Sequence, residues 1–427
     1  MDRSSSARRM PLQSQRRFSV GVWLGARCRR ISAAVVAAEG RGLATDARLW
    51  GYRGEDVPAA ISRAFVDLRE GESIDLKTLG QLRLELAELA AELIGRTLDE
   101  ARVAPPRVLV IGQHDPGLWQ FSGHRAVGWL NLCDAARLAE VTGANVVDAF
   151  PLRDLAGGGQ GGPLGALPEW LLLSDPDQEQ LIVHLGRTVR MTYLPKRVAS
   201  SADLGLASFL VGPGTALLDA LSGRLTAGRE RFDAGGRLAV QGRRIEPLME
   251  HWLADPYFER PPPRWHPAGV KVERFLADAL RMAVENDWSV RDLLCTATHF
   301  VAETVALAAR RCLPRDAAPQ RTIYLGGGKQ NGLLLSEIIR RTGLPRLPLV
   351  EALGADWEDD RAVQPATAAL LALLYIDRVP ASTASLTNVD SPRVLGRLTA
   401  GSPQQWQRLI EAFGAAAQQP RPLRAAI

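Results

Sequence analysis

A chain of 427 residues is too long for one ordinary hydrophobic core, so its length predicts two domains or three. Hydrophobic residues make up 46% and charged residues 23%, which is typical of a globular protein and excludes a disordered or fibrous one. The formal net charge is +5, but the first 17 residues carry five arginines with only Asp2 against them. No aromatic residue is interleaved with these arginines, so we expect a disordered, solvated leader at 1–17 and no nucleic-acid partner.

The four cysteines predict neither a zinc site nor a disulfide framework, because none of them stands in CxxC spacing. They are Cys28, Cys133, Cys295 and Cys312. Unpaired cysteines fit a reducing compartment. No apolar stretch approaches the roughly 20 residues that a membrane helix needs. The sequence therefore predicts a cytoplasmic protein with no metal site and no membrane partner.

Four short apolar runs end abruptly in glycine, and each predicts a strand that is buried on both faces of a sheet. They are Phe18–Leu24 before Gly25, Val108–Ile111 before Gly112, Leu181–Leu185 before Gly186, and Thr322–Leu325 before Gly326. Glycine at the end of a strand lets the backbone turn sharply or approach a ligand closely.

Helical patterns lie between these runs. Leu82, Leu86, Leu89 and Leu93 share one helical face, and two further helices are predicted over 292–311 and 364–377. Strands that alternate with helices indicate an α/β protein with mixed or parallel sheets. We place a domain change near residue 175, after a stretch rich in Gly and Pro. The predicted units are the leader, a first domain at 18–175, a second domain at 176–400 and a tail at 401–427.

Six sequence blocks in one order resemble the anhydro-N-acetylmuramic acid kinases, over roughly residues 18 to 400. The most specific block, VTGANVVDAFPLRDLAGGGQGGPL at 141–164, is similar to the family's TGITVV.DFR..D.A.GGQGAPL. The other five are Phe209–Ala220, Ala254–Phe258, Pro261–Pro263, Gly326–Gly328 with Asn331, and Ser391–Gly396. A lone Gly-Gly-Gly would be weak support, whereas six blocks with the family's spacing are specific.

The resemblance implies two α/β domains of ribonuclease-H-like topology, as in sugar kinases and actin, around a central cleft. In the family, ATP with Mg²⁺ lies on the cleft floor between glycine-rich loops, and the sugar lies above it against the first domain. The family uses water to open the 1,6-anhydro ring of the amino sugar and phosphorylates its O6. Its members commonly form homodimers, which the resemblance implies here as well.

Matching positions suggest which residues would serve each ligand. The nucleotide side would use Gly25, Gly186, Gly212, Gly214, Gly326, Gly327 and Gly328, and the sugar side would use His114, Asp134, Arg153 and Gln160. Other sugar-side positions differ, since the histidine that closes the glycine-rich block is Glu169. The K-S-T-G-R-E stretch after the triple proline is replaced by Arg264-Trp-His-Pro-Ala-Gly269.

Four departures fall on the nucleotide or its chemistry. The family's first phosphate loop, G-T-S-L-D-G, reads Gly25-Ala-Arg-Cys-Arg-Arg30, and its N-I-G-G loop reads His184-Leu-Gly-Arg187. The D-T-G-P-G-N motif becomes Leu210-Val-Gly-Pro-Gly-Thr215. Its aspartate is the residue that we expect to take a proton from the attacking water, and leucine cannot do so. The glutamate that heads the late helix is Gln364.

Two hypotheses follow from these departures. The chain is a weakened or inactive kinase, a pseudokinase with a binding or regulatory role, in which ATP and Mg²⁺ binding are both in doubt. Alternatively, it is a working kinase on this or a related sugar with another carboxylate as base, for which Asp134 and Asp154 are the candidates. Both hypotheses allow an amino-sugar ligand. A purely structural role with no ligand is a third hypothesis, because many of the residues that would line the pocket differ from the family's.

Overall fold

The structure is a computed structural model that describes residues 16–123, 125–197, 204–266, 270–354 and 357–417. The strands within these ranges are β1 Arg17–Leu24, β2 Arg30–Glu39, β3 Asp46–Asp56, β4 Val108–His114, β5 Leu118–Ser122, β6 Arg125–Leu130, β7 Val146–Asp148, β8 Gln180–Leu185, β9 Thr188–Leu194, β10 Ala207–Pro213, β11 Arg321–Leu325 and β12 Arg397–Thr399. The α-helices are α1 Ala59–Glu70, α2 Leu76–Glu100, α3 Ala135–Thr142, α4 Phe150–Ala156, α5 Ala166–Leu173, α6 Thr215–Leu225, α7 Glu246–Leu253, α8 Val272–Asn286, α9 Val290–Arg311, α10 Gly332–Thr342, α11 Leu349–Leu353, α12 Val363–Ile376, α13 Ala384–Thr387 and α14 Pro403–Ala417. Most of the predicted leader lies outside the described residues.

The first sheet has six strands in the order β12-β7-β4-β1-β2-β3. β1, β2 and β3 form an antiparallel meander. β4 pairs with β1 in parallel, and β7 pairs with β4 in parallel. This arrangement of a meander followed by parallel strands on its first edge is the ribonuclease-H-like topology that the resemblance implied.

The second sheet repeats the same plan with four strands in the order β10-β9-β8-β11. β8, β9 and β10 form the meander, and β11 runs parallel to β8. A single parallel bridge between Thr322 and Arg346 continues the sheet past β11. The predicted α/β fold with two ribonuclease-H-like sheets is therefore confirmed.

Helix α12 packs on the first sheet although it follows the second one in the chain. A β-carbon at Gly21 would lie 1.7 Å from the Pro365 carbonyl oxygen, and one at Gly112 would lie 2.0 Å from that of Ala368. Glycine is required at both strand positions because the helix backbone lies directly on them. β12 also pairs with β7 in the first sheet. The chain after about residue 360 thus returns to the first sheet, whereas the predicted division had assigned 176–400 to the second domain.

A shared apolar core joins the two sheets. Helix α5 is buried along its whole length and contacts β3, β9 and α12. The same buried cluster includes Val36 of the first sheet and Ile182 of the second.

Helix α9 lies on the far side of the second sheet. By length and composition it could cross a membrane, although the sequence analysis expected no apolar stretch of that length. However, 72% of its most apolar 18-residue stretch is buried in the protein.

Candidate functional site

The glycine turns of the second sheet meet at one edge. β8, β10 and β11 run in the same direction, so their carboxyl ends lie together. The amide of Gly214 donates to the Arg187 carbonyl oxygen at 2.9 Å. A β-carbon at Gly214 would lie 2.3 Å from the Gly186 carbonyl oxygen, and one at Gly328 would lie 2.8 Å from the Leu185 side chain. These glycines are therefore required by close contacts between the turns themselves.

Gly326 and the residues after it form a tight turn at the end of β11, as the sequence predicts. Gly326 has φ +86°, and a 3-10 helix follows at Gly327–Gln330. The Gly326 amide donates to Asp360 Oδ2 at 2.5 Å, and Lys329 Nζ donates to Asp360 Oδ1 at 2.5 Å. The Gly326 amide and the Lys329 ammonium group at this turn therefore both bind the carboxylate of Asp360.

Leu210, at the position of the expected base, is buried on β10 with 3% exposure. It stands opposite Arg190 in the β10–β9 register. The guanidinium of Arg190 binds both carboxylate oxygens of Glu169 on α5, and the Glu169 side chain is fully buried. The face of the second sheet that carries Leu210 therefore holds a buried ion pair with the first domain's α5.

The peptide group of Leu210 is also fixed. Its carbonyl oxygen accepts from Arg264 Nε at 2.8 Å and from the Tyr257 hydroxyl at 3.0 Å. The guanidinium of Arg264 donates further to the carbonyl oxygen of Arg260 at 2.8 Å. A β-carbon at Gly212 would lie 3.0 Å from the Phe258 ring. Packing and backbone contacts hold this turn in shape.

Two histidines near the cleft are neutral at ordinary pH. Burial, with a smaller effect of Arg190, lowers the pKa of His184 to about 4. Burial lowers the pKa of His114 to about 4 as well. The His114 ring lies 4.3 Å from that of Trp23, centroid to centroid, and its Nδ1 is buried with no hydrogen-bond partner within the described residues. Neither imidazole adds positive charge for a phosphate near pH 7.

The first phosphate-loop position is a tight turn at the end of β1. The Gly25 amide donates to the Arg30 carbonyl oxygen at 2.9 Å, and the Cys28 amide donates to that of Gly25 at 2.8 Å. Arg30 is turned back to the Gly54 carbonyl oxygen at 2.7 Å, whereas Arg27 is exposed. The turn keeps its shape without the hydroxyl and carboxyl groups that the family places in it.

The two fallback carboxylates have structural partners. Asp134 caps α3 by accepting from the Arg137 amide at 2.9 Å and forms an ion pair with Arg83. Asp154 is fully buried and accepts from Thr387 Oγ1 at 2.7 Å and from Ser382 Oγ. Burial raises the pKa of Asp154, and its hydrogen bonds oppose that rise.

The remaining sugar-side residues have different neighbours. Arg153 is exposed on α4. Gln160 reaches the second domain, where its Nε2 donates to the Pro263 carbonyl oxygen at 3.1 Å. Of the four residues predicted to bind sugar, Gln160 is thus the one for which the described residues show a hydrogen bond to the triple proline itself.

A protein-family model described as anhydro-N-acetylmuramic acid kinase matches residues 20–401 of this chain. The chain belongs to this family. It is 32% identical over 331 residues to the anhydro-N-acetylmuramic acid kinase of Nitrosospira multiformis, which covers 77% of this chain and 84% of that protein. It is 28% identical over 381 residues to that of Acaryochloris marina, which covers 89% and 98%. Among solved structures, gluconate kinase from Lactobacillus acidophilus has a TM-score of 0.41 and 9% identity, and the match covers 95% of this chain and 97% of that one.

The anhydro-N-acetylmuramic acid kinases use ATP, and the residues of this chain fit a triphosphate poorly. The donors at Gly326 and Lys329 bind Asp360, and Arg187 stands where the family has a glycine. Among the described residues, no group of three or more His, Cys, Asp or Glu side chains is arranged to hold a metal ion.

Proposed function

We propose that this chain is a member of the anhydro-N-acetylmuramic acid kinase family that binds an amino sugar and has lost most of its phosphoryl-transfer activity. The proposal depends chiefly on Leu210. A buried aliphatic side chain at the base position cannot accept a proton from the attacking water. Its neighbour Arg190 is neutralised by Glu169, so this guanidinium is not free to hold a phosphate.

The contacts of Asp360 support weak nucleotide binding. Backbone N–H groups and a lysine are the groups with which proteins commonly hold phosphates. Here both groups bind one carboxylate, and the ion pair between Lys329 and Asp360 is largely buried, with side-chain exposures of 19% and 13%. An incoming phosphate would have to displace that carboxylate or lie beside its negative charge.

The contacts of the fallback carboxylates weigh against the alternative of an active kinase. A base must reach the proton that it removes. The buried carboxylate of Asp154 accepts hydrogen bonds from Ser382 and Thr387, and the carboxylate of Asp134 caps the first turn of α3. Each would have to leave its partners before it could act on a bound water.

The test is a coupled ADP-release assay with ATP, Mg²⁺ and 1,6-anhydro-N-acetylmuramic acid. We expect no turnover above background for the wild type and little gain for Leu210→Asp, with Leu210→Asn as the isosteric control. A general base alone contributes ~10²–10⁴ in rate, but it has nothing to assist without a positioned phosphate. Robust wild-type turnover that is lost in Asp134→Asn or Asp154→Asn would establish the alternative instead.

We also propose that the chain works in the cytoplasm, as its unpaired cysteines suggest, and that it forms a homodimer, as the resemblance implies. Light scattering coupled to size-exclusion chromatography would then give twice the chain mass of 46.4 kDa. A mass of one chain at micromolar concentration would contradict the dimer.

A further inference from the structure

The segment 260–266, which we call the strap, leads from the second domain to the first. It ends in Arg264, Trp265 and His266, where the family's K-S-T-G-R-E stretch has no aromatic ring. Arg264 fixes the strap to the second domain, because it is 8% exposed and its Nε donates to the Leu210 carbonyl oxygen at 2.8 Å. The Leu210 amide in turn donates to the Arg264 carbonyl oxygen at 3.1 Å. The two rings that follow are therefore attached rigidly to the second domain.

Both rings contact the first domain. Trp265 lies on the glycine-rich loop at 157–162, where a β-carbon at Gly162 would be 2.7 Å from its ring. The His266 ring stacks on that of Phe121 in β5, with centroids 5.5 Å apart and an interplanar angle of 12°. Packed aromatic rings bury a large apolar area, and a stacked pair adds a further attraction between the rings. The end of the strap is thus attached to two parts of the first domain, the loop and the β5–β6 hairpin.

Hydrogen bonding at the strap is only partly satisfied. Gln160 Nε2 donates to the Pro263 carbonyl oxygen at 3.1 Å. By contrast, Gln160 Oε1 and Trp265 Nε1 are buried with no hydrogen-bond partner within the described residues. Such atoms cost free energy, because each has lost its hydrogen bonds to water. Ring packing therefore favours the closed strap and the unsatisfied atoms oppose it, which brings a closed and an open arrangement close in free energy.

The strap also borders a cavity of about 510 Å³ between the domains. Trp265 and His266 line it from the second domain, and the loop at 158–160 lines it from the first. The volume is within the range of small-molecule sites, roughly 300–1,000 Å³. Movement of the two rings would therefore change both the size of the cavity and the access to it.

We propose that the strap is a latch, in which Trp265 and His266 hold the second domain against the first while no ligand is bound. The cavity opens when the two rings leave Gly162 and Phe121. This inference goes beyond the proposed function and does not depend on it, because it concerns the chain without a ligand. The rings stand in a segment where the chain departs from the family's sequence, so the latch is a feature of this chain.

The test is hydrogen–deuterium exchange of the full chain without ligand. Trp265→Ala should speed exchange in the β5–β6 hairpin and in the loop at 157–162 about tenfold, which corresponds to about 1.4 kcal/mol of opening free energy. Phe121→Ala, at a first-domain residue that is 40% exposed, should speed exchange in the strap. Helices α5 and α12 should exchange as in the wild type, since the core that they share joins the domains without the strap. Trp406→Ala, at a 39% exposed tryptophan of α14, is the matched control and should change none of these segments.

An effect that crosses from one domain to the other supports the latch. If Trp265→Ala changes exchange in the strap alone, the rings do not hold the domains together and the proposal fails. If exchange also rises in α5 and α12, the substitution has destabilised the whole chain, and Gly162→Ala then decides. Its methyl group displaces the Trp265 ring without removing it, so exchange should rise in the strap and the hairpin. Wild-type exchange of both segments in that variant would overturn the latch.

Discussion

Asp219, on α6 just after the Gly212–Gly214 turn, is a carboxylate with an unfavourable environment. Burial raises its pKa from 3.8 to about 6, and Arg187 opposes the rise. The folded state therefore favours the protonated form. The resulting stabilisation is complete below pH 3.8 and is lost as the pH rises through about 6. At neutral pH the ionised carboxylate of Asp219 therefore destabilises the folded state.

Asp219→Asn should therefore stabilise the protein, and by more at high pH than at low pH. We expect the gain in the free energy of unfolding to be about 1–2 kcal/mol at pH 8, less than the full pKa shift implies because the carboxyl is half-buried and screened. The gain should shrink below pH 6 and become small near pH 4, because it vanishes only below the unfolded-state pKa of 3.8. Urea unfolding of both proteins from pH 4 to 8 measures it. A difference that does not change with pH would contradict the argument.

At the residue scale, the sequence showed which positions had changed but not what they now contact. Leu210 and Glu169 were identified by comparison with family motifs. The partner of Glu169, Arg190, stands on a strand of the other domain, and Asp360 reaches Gly326 from 34 residues away. Contacts of this kind depend on tertiary packing, and no local pattern carries them. Even so, a carboxylate replacing a histidine near a cleft was a signal that a nearby cation should be sought.

Among the elements, α12 restricts the sequence of its neighbours most strongly, because its backbone lies against glycines of β1 and β4 and leaves no room for a side chain there. Gly21→Ala should lower the free energy of unfolding by at least about 3 kcal/mol, because the new methyl group would overlap the Pro365 carbonyl oxygen at 1.7 Å. Gly80→Ala, at an exposed position in the second turn of α2 with nothing within 4 Å, is the matched control and should raise that free energy by about 0.5–1 kcal/mol. Equal effects of the two substitutions in urea unfolding would show that the helix does not lie on β1.

Most elements could be predicted from the sequence because their patterns are local. The apolar runs that end in glycine correspond to β1, β4, β8 and β11, and the leucine and alanine stripes correspond to α2, α9 and α12. The sheet that each element joins could not be predicted in the same way. The alanine-rich pattern of α12 fits either sheet, and its return to the first one is set by Gly21 and Gly112 far away in the chain.

For the whole molecule, the pair of Glu169 and Arg190 connects the domains through buried charge. Glu169→Gln would leave the Arg190 guanidinium, 12% exposed, without its counter-ion. Removing one partner of a buried pair costs about 3–5 kcal/mol. Glu88→Gln breaks an exposed pair with Arg137 and should cost ~0.2–1 kcal/mol. Urea unfolding of the two variants should separate them clearly, and a Glu169→Gln loss as small as the control would mean that the pair does not hold the domains together.

The central claim is that the interdomain cleft of this family member no longer holds a nucleoside triphosphate. Calorimetric titration of the full chain with ATP, in the presence and absence of Mg²⁺, tests it most directly. With Asp360 on the Gly326 amide and Lys329, we expect a dissociation constant weaker than ~1 mM, or less than about 4 kcal/mol of binding free energy, with little effect of Mg²⁺. Micromolar binding that depends on Mg²⁺ would contradict the account and favour an active kinase.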